Sequence, residues 1–323
     1  MQTILILALE GVMDSSLAIT LDTLKAGAAF VAGSRGKEKI RVAVAAHRKY
    51  VQTGAGLRLT ADMTFAEVGS TRMTPNWVIV PGAGLVSDDQ ITARCAKNDA
   101  LEAMRLLQAL GERKVKIAAS CSSVFFLAQA GLLSGRAATT TWWLARIFRA
   151  RYPDIRLDEA KMLVRDGQYL TAGSAFSQLD LALAIVADTM GAAVAHLCSR
   201  YLLIDQRPSQ ARYMLQTHVQ HVDATVVAAE RWIDGNLSQP ISVAALSSEL
   251  AMSAKTLARR IHAATGVSPV KFIQRRKLTH AVHLIETTSL SIDAIAERIG
   301  YQDGTALRKL VKRELGTTPA GLR

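Results

Sequence analysis

The side chain best suited to chemistry is Cys121, at a predicted turn between a strand and a helix. Residues 115–120 are mostly apolar and fit a short buried strand, and residues 122–127 fit the start of a helix. The dipole of that helix should lower the thiol pKa, and free backbone N–H groups there can bind an anion. The turn therefore predicts a nucleophile elbow or an anion-binding site. Ala119 and Ser123 stand where an elbow has glycines, which makes the first interpretation weaker.

A catalytic thiol also needs a general base within hydrogen-bond distance, usually a histidine. His47 and His196 fall in strand-like and helical segments, where we expect structural roles. For Cys121 itself the alternative is a small apolar side chain of the core, because cysteine is often buried. The local pattern leaves ligand contact and core packing both open.

A second group of functional candidates is basic and lies near the C-terminus. Residues 253–277 contain seven Lys and Arg and no Asp or Glu, and residues 308–313 contain four more basic side chains. Such groups neutralise phosphates, and arginine can also pair with guanine in the major groove. The formal net charge of +12 agrees with a polyanionic partner. The alternative for a single basic helix is a solvated surface.

These basic residues lie in an internal repeat. Ser242 and Ser291, 49 residues apart, each precede an apolar i, i+3 pattern and are suited to cap a helix. Turn-forming residues follow at 251–253 and 300–302, and each is followed by a second helical pattern. The sequence therefore predicts two helix-turn-helix units, whose second helices would enter the major groove.

The N-terminal elements follow a different pattern. Short β-rich runs alternate with helical segments up to about residue 190, which predicts an α/β fold with a doubly wound parallel sheet. The predicted strands are residues 3–8, 40–46, 77–80 and 115–120. From about residue 223 the apolar residues recur at helical spacing without a β-rich run, so this part is predicted to be all-α.

Length and composition exclude several classes of protein. The 323 residues suit two domains, and 50% hydrophobic with 20% charged residues argues against disordered tails and coiled-coil rods. Three cysteines without a close pair indicate a reducing compartment and no CxxC motif. Residues 1–10 fit a buried strand better than a signal peptide, and the serines within residues 117–135 argue against a membrane span. No metal site and no cofactor are expected.

The C-terminal third resembles the AraC/XylS-type DNA-binding domain. The resemblance rests on residues 295–301, on residues 307–314 and on the ending at residues 316–319. It implies two recognition helices in successive major grooves, joined by a long helix through residues 271–286, where Arg275 and Arg276 would hold neighbouring side chains or phosphates. Carried over to this sequence, it assigns these residues to DNA contact: Ser253, Lys255, Thr256, Ala258, Arg259, Thr305, Arg308, Lys309 and Lys312. Of these, Arg259 is the best candidate for reading a base.

The N-terminal part, roughly residues 1–190, resembles the DJ-1/PfpI branch of the class I glutamine amidotransferase-like fold. The matching segments are residues 80–84, the Cys121 turn, residues 130–142 and residues 171–183. The resemblance implies a flavodoxin-like arrangement of the sheet. It also implies a ligand site, lined by Gly82, Ala83, Cys121, Ser122, Thr140, Thr141 and Trp142.

Together the two parts are similar to the GlxA-like regulators, which join such a sensor fold to an AraC-type reader. We predict a ligand-sensing and dimerisation domain over residues 1–205, a linker over residues 206–221 and a DNA-binding domain over residues 222–323. The expected protein is a cytoplasmic transcription regulator without membrane association. Its expected partners are double-stranded promoter DNA, a small-molecule effector and a second copy of the chain.

The resemblance does not include the catalytic partners of the thiol. Thr141 stands where relatives carry a histidine, and the acidic position of the first strand–helix connection aligns with Ser16, with Glu10 and Asp14 nearby. A threonine cannot take a proton near neutral pH, so we assign no catalytic residue. The alternative function is a cysteine-dependent amidase or hydrolase using Cys121. A third is an interaction protein that has lost DNA binding.

Overall fold

The computed structural model describes residues 1–33, 39–71, 74–204, 209–210 and 224–323. The chain divides into two compact units, Met1–Gln210 and Ala211–Arg323. Of the predicted linker at residues 206–221, only residues 209 and 210 are described, and the rest lies outside the described residues. The predicted domain boundaries therefore stay a prediction.

The first unit is built on β-strands that are short and mostly buried. In chain order the strands are β1 (Gln2–Ala8), β2 (Ile40–Ala46), β3 (Tyr50–Gln52), β4 (Arg58–Thr60), β5 (Met63–Thr64), β6 (Trp77–Val80), β7 (Lys116–Ser120), β8 (Ala137–Ala138), β9 (Arg156–Leu157), β10 (Leu163–Asp166) and β11 (Tyr169–Ala172). The predicted strands thus match β1, β2, β6 and β7 to within a residue.

Seven of these strands form one sheet in the order β10-β11-β7-β6-β1-β2-β5. Every pair in it is parallel except the edge pair β10 and β11. β3 pairs with β4, and β8 with β9, outside this sheet. Parallel neighbours need a crossover connection, usually a helix, between them. Helices then cover both faces of the sheet, so its strands are buried on both faces, as in β1 with six buried residues in a row.

Helices cover both faces of the sheet. They are α1 (Asp14–Gly33), α2 (Phe65–Ser70), α3 (Asp88–Cys95), α4 (Asn98–Glu112), α5 (Val124–Gln129), α6 (Ala145–Arg151), α7 (Ser177–Met190) and α8 (Ala192–Tyr201). Leu5 and Leu7 of β1 pack in one core cluster with α4 and α5, whereas Ile4 and Ile6 pack in another with α1 and α7. Alternate residues of one strand thus fill two cores, which confirms the predicted doubly wound α/β fold.

The carboxyl ends of β1, β6 and β7 meet at one edge of the sheet, because these three parallel strands are neighbours. The chain leaves them at residues 9–16, 81–84 and 121–123. Loops that follow parallel strands lie at this edge, where open α/β sheets bind ligands. The sheet therefore gathers three segments that are far apart in the sequence.

The second unit is helical throughout its described residues. Its helices are α9 (Ala224–Gly235), α10 (Val243–Glu249), α11 (Ala254–Thr265), α12 (Pro269–Thr287), α13 (Ile292–Arg298) and α14 (Gly304–Leu315), followed by a 3-10 turn at Pro319–Leu322. One core joins α9, α10 and α11 to the start of α12, and another joins the rest of α12 to α13 and α14. The long connecting helix predicted through residues 271–286 is α12.

The two helix-turn-helix units have the same local construction. Ser242 and Ser291 cap α10 and α13, each accepting a hydrogen bond from the backbone N–H three residues on. The turn to the second helix passes through a left-handed residue in both copies, Ala251 with φ +50° and Gly300 with φ +69°. A Cβ on Gly300 would lie 2.6 Å from the Leu237 carbonyl oxygen, so only glycine fits there.

Among the described helices of the chain, none combines the length and the apolar character that crossing a bilayer requires.

Candidate ligand site and nucleic-acid interface

Cys121 lies at a strained turn directly after β7. Its φ is +55°, a left-handed conformation that side chains other than glycine rarely adopt. The Cys121 N–H donates to Gly173 O at 2.7 Å, and its carbonyl accepts from Thr140 Oγ1 at 2.8 Å. A 3-10 turn at Cys121–Ser123 then leads into α5. The order strand, sharp turn and helix is as the sequence predicts.

The electrostatic expectation for this thiol was wrong. Cys121 is 1% exposed, and burial raises the pKa of its thiol above the ordinary value, although the Ser122 backbone N–H lowers it in part. The helix that should lower the pKa is six residues long and begins only after the 3-10 turn. Loss of solvation of the thiolate therefore outweighs the dipole. At neutral pH this cysteine is a buried thiol.

Gly82 packs closely against both Cys121 and Ser16 at this site. The Gly82 N–H donates to Ser16 Oγ at 2.9 Å, and a Cβ on Gly82 would lie 3.1 Å from Cys121 Cβ and 3.2 Å from Ser16 Oγ. Three strand ends meet here because residue 82 has no side chain. Ser16, at the position that the resemblance pairs with an acidic residue, thus holds the Gly82 backbone.

Hydroxyl groups line the site, and one of them, on Ser120, lacks a hydrogen-bond partner. Ser120 Oγ is fully buried and makes no hydrogen bond among the described residues, whereas the buried Thr141 hydroxyl interacts with the Cys121 thiol and lowers its pKa in part. The Ser122 hydroxyl accepts from the Leu85 N–H at 3.0 Å, and Thr140 is engaged with Cys121. A buried polar atom without a partner has lost its hydration and gained no hydrogen bond, unless a ligand or a water molecule supplies one.

The structure buries four of the six other predicted lining residues. Gly82, Ser122, Thr140 and Thr141 are buried, whereas Ala83 and Trp142 are partly exposed. The Trp142 ring packs edge-on against Trp143, with centroids 5.3 Å apart. A pocket of about 510 Å³ lies elsewhere, at the amino-terminal edge of the sheet near Tyr169 and Arg136.

The carboxylates and histidines considered as bases are engaged elsewhere. The Glu10 carboxylate accepts from the Gln52 N–H at 3.0 Å. Asp14 accepts from the Thr53 hydroxyl and the Ala55 N–H, and these hydrogen bonds hold the pKa of Asp14 below its ordinary value. His47 pairs with Glu102 of α4, and His196 is exposed on α8.

A residue that sequence reasoning missed lies beside the Cys121 turn. Gln210, within the predicted linker, is 1% exposed, and its carboxamide lies among Thr139, Thr140 and Ser174. A polar residue in a polar, proline-marked stretch carries no local signal of burial. Only the glycine at residue 173 hints at the close approach, because a Cβ there would overlap the Gln210 side chain.

In the second unit, α11 and α14 present their basic residues to solvent. Leu257 and Ile261 of α11, and Leu307 and Val311 of α14, are fully buried. The opposite faces carry the predicted DNA contacts, of which these side chains are exposed: Ser253, Lys255, Arg259, Thr305, Arg308, Lys309 and Lys312. Thr256 and Ala258 are partly buried. Ser253 also caps α11 by accepting from the Thr256 N–H at 3.1 Å.

The start of α14 is held by an acidic residue. Asp293 of α13 accepts from the Gly304 N–H at 2.9 Å, and it lies 3.6 Å from the Arg308 guanidinium. Asp303 caps α14 by accepting from the N–H groups of Thr305 and Ala306. The start of α14 is thus oriented by two carboxylates, which leaves Lys309 and Lys312 on the open side of the helix.

Two residues of the basic run 253–277 do not belong to this surface. Arg276 of α12 donates to Asp234 of α9, with Nε at 2.6 Å from Oδ1, and Lys277 is buried with its Nζ 3.0 Å from Gln239 O. They hold α12 to its neighbours, so the count of seven basic residues overstates the charge available to a nucleic acid.

Comparison with known proteins agrees with this architecture. The family model described as DJ-1/PfpI family matches residues 2–188, and the model described as helix-turn-helix domain matches residues 246–323. The transcriptional regulator GlxA of Rhizobium meliloti (strain 1021) is 26% identical over 228 residues, which cover 68% of each chain.

Two solved structures are similar in fold. Drosophila melanogaster DJ-1beta has a TM-score of 0.51 at 20% identity and covers 64% of this chain and 99% of its own. An AraC family transcriptional regulator from Pseudomonas putida also has a TM-score of 0.51 at 20% identity, and covers 62% of this chain and all of its own. At these identities the likeness shows the fold alone.

Proposed function

Because the chain belongs to the DJ-1/PfpI family and also carries a helix-turn-helix domain, we propose that it is a transcription regulator whose DJ-1-like unit senses a small molecule. Its similarity to GlxA over 68% of both chains supports the same function. We place it in the cytoplasm, where promoter DNA is available and its three free cysteines stay reduced.

The proposal of DNA binding rests on one observation: an exposed basic helix is repeated in two equivalent units. Arg259 of α11 and Lys309 of α14 lie at corresponding positions of the repeat, and both are exposed. Helices of this kind enter successive major grooves, and the surrounding lysines neutralise phosphates. Capping by Ser253 and Asp303 fixes where each helix begins and therefore which side chains lie near its N-terminus.

The proposed sensor is a binding site and not an active one. A thiol nucleophile needs a depressed pKa or an adjacent base, but burial raises the pKa of Cys121 and Thr141 occupies the position of the base. Ser120 Oγ, buried without a hydrogen-bond partner among the described residues, supplies a polar group that a ligand can satisfy. We propose that the effector binds here and that two copies of the chain associate through this unit.

A DNase footprint of the purified protein on DNA flanking its own gene tests the function. We expect protection of adjacent major grooves about one helical turn apart, in paired half-sites, weakening steeply with salt. Failure of protection there, and of selection from random-sequence DNA, would overturn the regulator function.

Thiol reactivity tests the sensor. Full-length protein is treated with iodoacetate at neutral pH, and the modification of Cys121 is followed by mass spectrometry. A buried non-catalytic thiol should react far more slowly than free cysteine. Rapid modification with a depressed pKa would point instead to an enzyme.

A further inference from the structure

The chain leaves the first unit through a fixed segment. Gln210 is the last residue of this unit, and its backbone N–H donates to Ala160 O at 3.0 Å. The Ser209 hydroxyl donates to the same carbonyl at 2.8 Å, and Ser209 forms a β-bridge with Lys161. The exit toward the second unit is therefore attached to the connection between β9 and β10.

The Gln210 side chain fills a cleft whose polar atoms match a primary amide. Oε1 accepts from the Ser174 N–H at 3.1 Å, while Nε2 lies 3.0 Å from Thr140 O, 3.2 Å from Lys161 O and 3.3 Å from Thr139 Oγ1. Two carbonyl acceptors require a group with hydrogens to donate, and one N–H requires an acceptor. A carboxylate meets only the second need, so the cleft distinguishes an amide from an acid.

The cleft exists because residue 173 is glycine. A Cβ at Gly173 would lie 2.3 Å from Gln210 Oε1 and 2.4 Å from Nε2, and any larger side chain would take the place of the carboxamide. With the side chain in place, Gln210 is 1% exposed. A fully buried and fully paired carboxamide at a chain exit is far from the usual position of glutamine on the surface.

Two short segments, Gly173 with Ser174 and Thr140, join this cleft to the Cys121 turn. Gly173 O accepts the Cys121 N–H at 2.7 Å, and the next residue, Ser174, donates to Gln210. Thr140 donates its hydroxyl to Cys121 O, and its own carbonyl accepts from Gln210. The same two short segments therefore touch the thiol turn on one side and the carboxamide on the other.

We propose that this cleft is a primary-carboxamide site, occupied in cis by Gln210, which couples the Cys121 site to the exit of the chain. An effector that bears a terminal carboxamide takes the place of Gln210 and releases residues 209–210 from Ala160 and Lys161. The amide recognition stands on the geometry of the first unit. Its effect on DNA binding rests on the proposed function.

Rescue of a truncated side chain tests the amide site. Gln210→Ala removes atoms equivalent to acetamide, and a vacated site of matching shape can bind the missing fragment. We expect acetamide to raise the melting temperature of full-length Gln210→Ala and acetate to leave it unchanged, because binding to the folded state stabilises it. Gln52→Ala, at an exposed position of the same unit, is the matched control. Equal responses to acetamide and acetate, or of the two variants to acetamide, would overturn the site.

The link to the Cys121 turn is tested by the rate at which N-ethylmaleimide modifies Cys121, with Cys95 and Cys198 as buried internal references. Gln210→Ala should accelerate the reaction of Cys121 by about tenfold, as expected from loss of about one net hydrogen bond in local opening, and acetamide should restore the slow rate. Gln210→Glu keeps the volume but removes the donated hydrogens, so it should also accelerate the reaction of Cys121. It keeps the test decisive where Gln210→Ala folds poorly. Wild-type rates in both variants would overturn the coupling.

Binding of the same proteins to the protected DNA separates this inference from the proposed function. We expect Gln210→Ala to shift the affinity for DNA and acetamide to reverse the shift, with Gln52→Ala unchanged. An unchanged affinity alongside acetamide rescue would overturn the regulatory link. If the wild-type protein itself binds no DNA, the proposed function fails, while the melting and modification results still decide the amide site.

Discussion

Gly82 and Cys121 approach so closely that a Cβ on Gly82 would lie 3.1 Å from the Cys121 Cβ. The two residues follow β6 and β7, which are neighbours in the sheet. The Cys121 backbone cannot retreat, since Gly173 and Thr140 hold its N–H and carbonyl. The contact with Gly82 is one of those that bury Cys121 at the carboxyl edge of the sheet.

Replacing Gly82 with alanine should therefore destabilise the first unit. The new methyl group would be forced against Cys121 Cβ and Ser16 Oγ, both fully packed, and overpacking of this kind costs about 1–3 kcal/mol. Urea denaturation of the full chain measures the loss. Gly69→Ala is the control, because a Cβ at that position of α2 meets nothing within 4 Å. Equal loss in both variants would contradict the close approach.

Arg259→Ala should weaken binding at the preferred DNA site by about 1–3 kcal/mol and relax the choice of base at one position, because a bidentate contact with guanine is lost. Competition binding against every single-base variant of the protected site measures both effects. Arg146→Ala, at an exposed position of α6, should bind as the wild type does. A uniform loss across unrelated sequences would mean that Arg259 contacts only phosphate.

Lys312→Ala should reduce the salt dependence of the affinity for DNA and leave the preferred DNA sequence unchanged. Lys312 is exposed near the end of α14, and loss of one phosphate contact lowers the slope of log affinity against log salt by about 0.9. The slope is obtained from titrations at several salt concentrations, with the exposed Lys49→Ala of the first unit as control. A change in preferred sequence would show that Lys312 reaches a base.

The stability of the second unit should fall in acid through Asp234. Burial alone would raise the pKa of Asp234, but hydrogen bonds from Arg276 and His280 lower it below its ordinary value of 3.8. The stabilisation is therefore present above pH 3.8 and is lost as the pH falls through the lower pKa of the folded state. Asp234→Asn should remove this part of the pH dependence of the urea midpoint. Parallel pH profiles for the two proteins would contradict the assignment.

Local patterns predicted the elements well. The alternation of short apolar runs matched β1, β2, β6 and β7 because a strand buried on both faces must be apolar throughout. Ser242 and Ser291 cap the helices that they were expected to cap, since capping involves only the next three residues. The offset between the two copies of the repeat was enough to predict both helix-turn-helix units.

The candidate site was predictable in part. Positions after parallel strands must share one edge, so Gly82 and Cys121 could be placed together from the sequence. The surroundings of Cys121 could not be predicted, because desolvation depends on every segment packed around the thiol. Here desolvation raises the pKa of the thiol, which was expected to be lowered. The burial of Lys277 could not be predicted for a similar reason, as its partner Gln239 lies outside its own helix. Arg276 contacts Asp234, which is one of the two roles expected for it.

The sequence by itself thus determined which elements form, where the two helix-turn-helix units lie and which residues stand at neighbouring strand ends. These features depend on periodicity and on contacts within a few residues. Only the tertiary structure decided that Cys121 is a buried thiol and that Gln210 is held beside it. Both depend on contacts between residues 19 or more positions apart, such as Thr140 with Cys121 and Ser174 with Gln210, which no local pattern encodes.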